Sequence, residues 1–245
     1  MKKTYGYAII SLERQGGFME LKIIARIYTD YKEKFGIPRQ SGIAADTLGR
    51  IVFEKEYRRS EALRGIEGFS HLWVLWQFSE SVRDGWSPTV RPPKLGGNKR
   101  LGVFATRSPF RPNPIGLSSV KFDGILHTEE NGDILLVRGA DILNGTPIYD
   151  IKPYLKYTDC HEDAIGGFSD SALERKLNIR FPKELLRRVD TEQRGALISI
   201  LENDPRPGYK SDGSRVYGMN YSNYEICFRV SDATLTVTDV KEKDI

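Results

Sequence analysis

The chain has 245 residues, of which 39% are hydrophobic and 29% are charged, with a formal net charge of +4 at pH 7. This composition is typical of a globular protein and argues against a disordered or fibrous chain. No apolar run approaches the roughly 20 residues that a membrane-spanning helix needs, and the first residues lack the pattern of a secretory signal. The two cysteines, Cys160 and Cys227, form no CxxC pair, which argues against a disulfide scaffold and a thiolate zinc site. We therefore expect a cytoplasmic protein with no membrane partner.

Short β-like segments follow one another through the first two thirds of the chain. They cover residues 21–28, 71–78, 101–106, 118–126 and 133–143, with an Asn131-Gly132 turn before the last of them. Because the segments are short and regularly separated by Gly and Pro, they favour a closed or strongly curved sheet. Residues 60–65 are expected to form one or two helical turns.

Positive charge is concentrated in one window of the sequence. Between Arg83 and Arg111 there are seven basic residues and one acid, a net charge of +6, so the rest of the chain is net negative. Three aromatic residues lie in the same window: Trp86, Phe104 and Phe110. Basic and aromatic side chains together favour a polyanion with stackable bases, but a solvated basic loop explains the charge equally well.

The segment over residues 106–118 contains three prolines and two arginines. Each proline fixes φ and removes a backbone donor, so we expect a stiff loop. A stiff loop loses little entropy on binding and holds its arginines ready for a carboxylate or a phosphate. A rigid connector between strands explains the same pattern.

The last third of the chain changes character. Residues 157–176 have the composition of a linker or a surface excursion. One amphipathic helix is predicted to begin at Phe181-Pro182. It should end before Asp204-Pro205, because a residue that precedes proline disfavours helical geometry. Two short strands are predicted to follow, over residues 225–230 and 234–240.

These elements predict a mainly β protein with two domains. Residues 1–160 are expected to form a small closed β-barrel, and residues 161–245 a smaller α+β domain. The chain lacks GxGxxG, GxxxxGK[ST] and GxSxG motifs, which argues against Rossmann, P-loop and serine-hydrolase sites. Its three histidines have no metal-ligand spacing, so no metal is expected. A hydrolase or acyltransferase that uses Ser108 or Ser118 would lack a paired base in the sequence.

Several separated motifs, taken in order, resemble the TsaA/TrmO family. They lie at residues 31–40, 68–73, 90–93, 106–118 and 141–154. A further motif, D-P-R-P-x-Y over residues 204–209, resembles the C-terminal domain of longer members. Residues 12–17 depart from the family pattern, because they lengthen its usually short N-terminal segment.

The resemblance implies a methyltransferase of the β-barrel kind, unrelated to the Rossmann kind. Such enzymes work as homodimers and bind S-adenosylmethionine near the subunit interface. The implied substrate is tRNA that carries N6-threonylcarbamoyladenosine beside the anticodon, and the product is methylated on the same exocyclic nitrogen. No DNA partner is expected. An RNA-binding barrel that keeps the cofactor only as a structural or sensing ligand is the alternative.

The resemblance also assigns site residues. Cofactor contacts are expected at Pro38, Arg39, Gln40, His71, Leu72, Arg107, Leu117, Asp141, Ile142, Leu143 and Asn144. Arg39 or Arg107 is expected to bind the cofactor's carboxylate, and Asp141 its amino group or ribose. A buried core histidine is the alternative interpretation of His71.

Two further sets of residues are expected to act on the tRNA. RNA contacts are expected at Lys94, Arg100, Arg111 and Arg206. Asp204 and Tyr209 are the candidates for handling the proton of the acceptor nitrogen, a task in which a positioned base adds typically ~10²–10⁴-fold. The alternative is that Asp204 caps a turn and Tyr209 packs.

Overall fold

The computed structural model describes residues 20–81, 85–92, 95, 99–172, 176–206 and 213–243. The strands are β1 (Ala25–Thr29), β2 (Leu48–Phe53), β3 (His71–Gln77), β4 (Thr89–Val90), β5 (Leu101–Gly102), β6 (Ile115–Thr128), β7 (Gly132–Arg138), β8 (Thr146–Pro153), β9 (Asn178–Arg180), β10 (Tyr217–Tyr221), β11 (Tyr224–Ser231) and β12 (Thr234–Glu242). The α-helices are α1 (Lys156–Asp159), α2 (Lys183–Leu186) and α3 (Thr191–Glu202). Short 3-10 helices cover Lys55–Tyr57, Ser60–Leu63, Ile66–Gly68, Ser79–Ser81, Val103–Ala105 and Gly167–Ala172. None of the helices in these ranges is long and apolar enough to cross a membrane.

Six strands close into a barrel in the order β1-β2-β7-β6-β3-β8, with β8 pairing back onto β1. The closed, mainly β architecture confirms the predicted fold class. Side chains alternate between the two faces of each strand, so that Leu72, Val74 and Trp76 of β3 point into the barrel. Gly124, at φ 138, lies at an irregularity in the register between β6 and β7, where its conformational freedom lets the 14-residue β6 bend.

The structure corrects three predicted strands. β1 begins at Ala25, four residues later than expected. The segment 101–106 is a two-residue strand paired with β4, followed by a 3-10 turn with an exposed Phe104. β7 ends at Arg138, because Gly139 adopts φ 71 and turns the chain against Gly42. Strands β2 and β8 were not predicted. In β8, two prolines and two charged residues interrupt the apolar pattern that is typical of a strand.

The C-terminal sheet has the strand order β10-β11-β12-β9, with β9 parallel to β12. The predicted single helix is wrong, because the chain breaks between α2 and α3 and buries Val189 in the break. β11 and β12 confirm the two predicted strands, and β9 and β10 were missed. The departure at residues 12–17 lies outside the described residues.

The loop between β1 and β2 connects two barrel strands and also packs into the core of the C-terminal sheet. Its Tyr31 and Ala44 are buried in the same cluster as α3 and strands β10 to β12, and Phe35 and Ile37 pack against that cluster. The loop carries the motif that ends in Pro38-Arg39-Gln40. This packing therefore fixes those residues between the barrel and the C-terminal sheet.

Candidate functional site

Side chains from β3, from β6 and from the segment between β7 and β8 meet at one end of the barrel. The indole Nε1–H of Trp76 donates to Ser118 Oγ at 3.0 Å, and the Ser118 hydroxyl donates to Asp141 Oδ1 at 2.5 Å. Gly116 lies opposite Trp76 in the β3–β6 ladder. A Cβ at Gly116 would come within 2.2 Å of the indole, so this glycine provides the space in which the indole lies.

Burial raises the pKa of Asp141. The Ser118 hydroxyl and backbone N–H groups, together with the positive charge of Arg107, act in the opposite direction and favour the carboxylate. An acidic group in this environment can bind an ammonium group or ribose hydroxyls. The carboxylate is therefore held by the Ser118 hydroxyl and by the backbone N–H groups of Asp141 and Ser41.

The segment after Asp141 is fastened to the end of β1. The Thr29 hydroxyl donates to the carbonyl of Ile142 at 3.0 Å, and the Thr29 N–H donates to Asn144 Oδ1 at 3.0 Å. The Asn144 N–H donates to the carbonyl of Tyr31 at 2.9 Å. The Ile142 side chain is fully buried, so this residue can offer a ligand its backbone only.

The stiff loop contacts the motif between β1 and β2. Arg107 Nη1 donates to Gln40 Oε1, and Gln40 Nε2 donates to the carbonyl of Arg39 at 2.5 Å. Two of the motifs that were predicted to bind the cofactor are therefore in direct contact, and a guanidinium group lies at their junction.

A small cleft joins this region to the predicted D-P-R-P-x-Y motif. Its lining residues are Gly36, Ile37, Pro38, Arg39, Ile43, Ile200, Asn203, Asp204 and Pro205. Arg39 Nη2 donates to the carbonyl of Arg206 at 2.8 Å. Arg206 in turn grips Asp204 through Nε and Nη2, both at 2.8 Å. Asp204 has φ 47, so the motif begins with a left-handed turn that the ion pair helps to hold.

His71 and its neighbour face a different way. His71 is exposed on the outer face of the barrel, with Nδ1 2.9 Å from Ser70 Oγ and its ring 6.1 Å from that of Tyr154. The buried-histidine alternative is therefore wrong. The Leu72 side chain is fully buried in the barrel. Leu117 lies on the outer face and is 54% exposed.

Two of the residues predicted to contact RNA lie on the exposed loops. Arg100 is exposed and donates from Nε to Thr89 Oγ1 at 2.8 Å. Arg111 donates to the carbonyl of Thr106 at 3.2 Å. The Arg206 side chain is only 13% exposed, because it lies against Asp204. Lys94 and Tyr209 lie outside the described residues.

Sequence reasoning missed the role of Ser118 and Trp76 in holding Asp141. Ser118 had been considered only as a nucleophile, but its hydroxyl is buried and donates to a carboxylate. A serine nucleophile needs a base that accepts its proton, whereas here the serine orients an acid. The sequence signal was a glycine, Gly116, two residues before Ser118 on the strand that pairs with the strand of Trp76.

Comparison with known proteins identifies the family. Residues 26–160 match the tRNA-methyltransferase O N-terminal domain, and residues 174–243 match the TrmO C-terminal domain. A tRNA (adenine(37)-N6)-methyltransferase of Escherichia coli K12 is 39% identical over 222 residues, which are 87% of this chain and 94% of the relative. A Pseudomonas aeruginosa protein, RcsF, is 38% identical over 210 residues, 83% of this chain and 89% of its own, and its name provisionally assigns S-adenosylmethionine-dependent methyltransferase activity.

A solved structure shares the fold along nearly the whole chain. The crystal structure of TrmO from Pseudomonas aeruginosa superimposes with a TM-score of 0.72 at 29% identity, and the match covers 91% of this chain and 99% of that one. Both family domains are thus present in order along the chain, and the shared fold spans both of them. The chain belongs to the TrmO family of tRNA methyltransferases.

Proposed function

We propose that this protein transfers a methyl group from S-adenosylmethionine to the exocyclic N6 of adenosine 37 in tRNA, next to the anticodon. The observation that carries the proposal is the meeting of Asp141, Arg107 and Gln40 at one end of a TrmO-family barrel, beside the cleft that holds Asp204. The acceptor is the N6-threonylcarbamoyl form of the adenosine, as the family resemblance implies.

The residues at the barrel end fit the cofactor. Its methionine end has one carboxylate and one ammonium group, and the site offers both complementary charges in Arg107 and Asp141. When bound, S-adenosylmethionine supplies an electrophilic methyl group on a positively charged sulfur. Asp141 binds the ammonium group or the ribose, and Arg107 or Arg39 binds the carboxylate. The backbone of Leu143 and Asn144 is available to contact the adenine.

The acceptor nitrogen is a poor nucleophile, because its lone pair is shared with the adenine ring and the carbamoyl group. The protein must therefore hold it in line with the methyl group and remove its proton, and orientation alone contributes several kcal/mol. Asp204 and Tyr209 are proposed to handle that proton. Since Arg206 holds the Asp204 carboxylate from one side, we assign Arg206 to positioning this acid as well as to RNA binding.

The direct test is transfer of labelled methyl groups from S-adenosylmethionine to tRNA, followed by mass spectrometry of anticodon-loop nucleosides. We expect label on N6 of residue 37 and binding of S-adenosylmethionine in the micromolar range or tighter by calorimetry. Cofactor binding without any transfer would contradict the proposal and support the non-catalytic RNA-binding alternative.

An isosteric substitution tests the proposed role of Asp204. Asp204→Asn removes the negative charge, so the single-turnover rate at saturating tRNA and cofactor should fall by about 10²-fold or more. Cofactor affinity should stay near the wild-type value, and saturating tRNA compensates for any weaker tRNA binding that follows from the loss of the ion pair with Arg206. Arg206→Ala is the companion variant, and we expect it to weaken tRNA binding or positioning. An unchanged rate in Asp204→Asn would show that Asp204 does not handle the proton and that its motif only forms the turn after α3.

The tRNA is proposed to contact the basic loops and the C-terminal part of the chain. Replacing Lys94 and Arg100 with alanine should weaken tRNA binding and reduce its salt dependence, because each lost phosphate contact lowers the slope by about 1. Cofactor affinity should not change. Residues 1–160 are proposed as the cofactor-binding domain, and residues 161–245 as a domain that contacts tRNA in the cytoplasm.

We also propose that the protein acts as a homodimer. His71 pairs with Lys121 in the β3–β6 ladder, three residues and therefore about 10 Å along the strand from Ser118. Its side chain points outward, whereas Ser118 points inward and contacts Asp141. Within one subunit, His71 therefore faces away from the site that contains Asp141. In a homodimer, His71 of one subunit can instead reach the site of the other, and this supports a cofactor site at the subunit interface.

A further inference from the structure

Two large aromatic side chains lie side by side on the surface of the basic loops. The ring centroids of Trp86 and Phe104 are 5.9 Å apart with an interplanar angle of 32°. Trp86 is 50% exposed and Phe104 is 71% exposed. Leaving two adjacent rings in water costs hydrophobic stabilisation, so the pair marks a contact surface.

The exposure of Phe104 is built into the local backbone. Its neighbour Val103 is buried and anchors the turn, and the Val103 N–H donates to the carbonyl of Pro88 at 3.0 Å. On the other side, the Thr106 N–H and hydroxyl both donate to the carbonyl of Val103, at 3.1 and 2.9 Å. The Val103–Ala105 turn therefore projects Phe104 outward beside the β4–β5 ladder.

The surroundings of the pair are strongly basic. The sequence contains no acid from Gly85 to Phe122. Within the part of this stretch that the structure describes, no basic side chain forms an ion pair with an acid. The described basic residues of the stretch are Arg91, Lys99, Arg100, Arg107, Arg111 and Lys121. Arg100 is tied to Thr89 by two hydrogen bonds, which hold its charge at β4. Thr89 lies three residues after Trp86, and Arg100 lies two residues before Gly102 of the paired β5.

The pair is also close to the candidate site along the chain. Phe104 precedes by three residues Arg107, which contacts Gln40 of the predicted cofactor motif. An enzyme that modifies a base atom must take that base out of its stack or act on an unpaired strand. The neighbouring bases then lose stacking partners, and aromatic side chains can replace them.

We propose that Trp86 and Phe104 form a stacking platform for unpaired bases that flank the target adenosine in the anticodon loop, with Arg100 binding the adjacent phosphate. This inference rests on the proposed function and names the part of the substrate that the basic loops bind. Stacking on two rings is sequence-tolerant, so the platform positions the loop rather than reading its bases.

The test compares binding of an anticodon stem-loop with binding of a duplex RNA that has the same stem. Trp86→Ala and Phe104→Ala should each weaken stem-loop binding about tenfold and leave duplex binding unchanged. Neither variant should alter the salt dependence of binding. Arg100→Ala should reduce the slope of the logarithm of the binding constant against the logarithm of the salt concentration by about 1. Trp86→Phe should retain most of the affinity, because it keeps a ring.

A matched control and a spectroscopic signal sharpen the result. Tyr157 is 86% exposed but lies on α1, outside the basic loops, and Tyr157→Ala should bind the stem-loop normally. Stem-loop binding should quench the tryptophan fluorescence of the wild type and not that of Trp86→Phe, because Trp73 is half-buried and Trp76 is buried. Light scattering and cofactor calorimetry of each variant monitor assembly and folding.

Unchanged stem-loop affinity in both alanine variants, with wild-type methyl transfer intact, would overturn the platform and leave the proposed function standing. A change in subunit mass would instead assign the pair to a contact between copies of the chain, and a loss of cofactor affinity would assign it to loop scaffolding; both results overturn the platform. A wild-type protein that neither binds nor methylates tRNA would contradict the proposed function itself.

Discussion

The carboxyl group of Asp141 lies in a buried environment that disfavours its charged form. Because burial raises its pKa, the folded state binds this proton more tightly than the unfolded state does. The resulting stabilisation is fully present below the unfolded pKa of about 3.9 and is lost as the pH rises through that value towards the raised folded pKa. At neutral pH the buried carboxylate therefore lowers the free energy of unfolding, a cost that the proposed role of Asp141 in cofactor binding would explain.

Asp141→Asn should separate stability from function. The neutral amide avoids the cost of burying a charge, so the variant should melt at a higher temperature than the wild type at pH 7. The difference should shrink as the pH falls towards 4. Binding of S-adenosylmethionine should be lost, because the amide cannot balance an ammonium group.

Thermal unfolding across this pH range, together with calorimetry, measures both effects. Asp123→Asn is the control, because Asp123 forms a partly exposed ion pair with Arg138 at 2.9 Å. That variant should gain no stability at pH 7. A lower melting temperature for Asp141→Asn at pH 7 would show that the hydrogen bond from Ser118 outweighs the cost of burial.

Gly116 tests whether the indole of Trp76 positions Asp141 through Ser118. In Gly116→Ala the new methyl would lie 2.2 to 2.6 Å from three atoms of the indole, so the ring must move and release Ser118. We expect the free energy of unfolding to fall by about 1–3 kcal/mol and cofactor affinity to fall with it. Denaturant unfolding and calorimetry measure the two changes.

Gly68→Ala is the matched control, since a Cβ there would meet nothing within 4 Å. It should leave both quantities near the wild-type values. Normal cofactor affinity in Gly116→Ala would show that the chain from Trp76 through Ser118 to Asp141 is not needed for binding.

At the scale of elements, the loop between β1 and β2 carries the contact between the two sheets. The Asn220 N–H donates to Glu33 Oε1 at 3.0 Å, and the Ser222 N–H donates to the carbonyl of Asp30 at 3.0 Å. Gly36 lies against the buried Met219 of β10. These contacts place the Pro38-Arg39-Gln40 motif relative to Asp204.

Gly36→Ala should weaken the packing of the loop between β1 and β2 against β10. Its Cβ would lie 2.5 Å from the Met219 sulfur, and Gly36 has φ 97, a conformation that alanine rarely adopts. We expect the free energy of unfolding to fall by about 2 kcal/mol or more. Gly42→Ala shares the positive φ but would meet no atom within 4 Å, so it measures the backbone cost alone. Equal losses in the two variants would show that Met219 adjusts freely.

How far the sequence predicts these elements depends on how each one buries its residues. β3 was recognisable as a near-continuous apolar run, which predicted burial on both faces, but the structure buries one face only. β7 was recognisable from the Asn131-Gly132 turn before it, and β11 and β12 from their short apolar runs. β8 was not, because Pro147, Asp150 and Lys152 break its pattern while its pairing with β1 and β3 supplies the stability. The helix was predicted as continuous because Val189 fits its apolar face, yet this residue is buried from a turn instead.

The candidate site was predictable only where a motif carries it in one stretch of sequence. Gln40 and Arg107 were named from motifs, but their contact depends on a loop that packs into a distant core. The contact from Ser118 to Asp141 joins residues on two elements, and no local spacing encodes it. Side-chain direction also escaped prediction, since the Leu72 and Ile142 side chains point into the barrel.

At the scale of the whole molecule, subunit mixing tests the proposed homodimer. If His71 of one subunit completes the site that contains Asp141 of the other, His71→Ala and Asp141→Ala should each be inactive alone. Mixed in equal amounts and allowed to exchange, they should recover about a quarter of the wild-type activity, since half the dimers are mixed and each has one intact site. No recovery despite confirmed exchange would place both residues in one subunit's site, and a monomer mass by light scattering would refute the dimer.

The shared loop also bears on how the chain folds as it is synthesised. The hydrogen bond between Glu33 and Asn220 closes 187 residues of sequence, and Tyr31 is covered by β10 to β12, which are synthesised long after it. Long-range contacts of this kind form late, because the chain entropy they remove must be offset at once. The barrel can therefore close on the ribosome while Tyr31, Phe35 and Ile37 still face water. The cofactor motif beside them reaches its final position only after β10 to β12 have emerged, so a chain truncated before β10 would contain the barrel without a correctly placed Arg39.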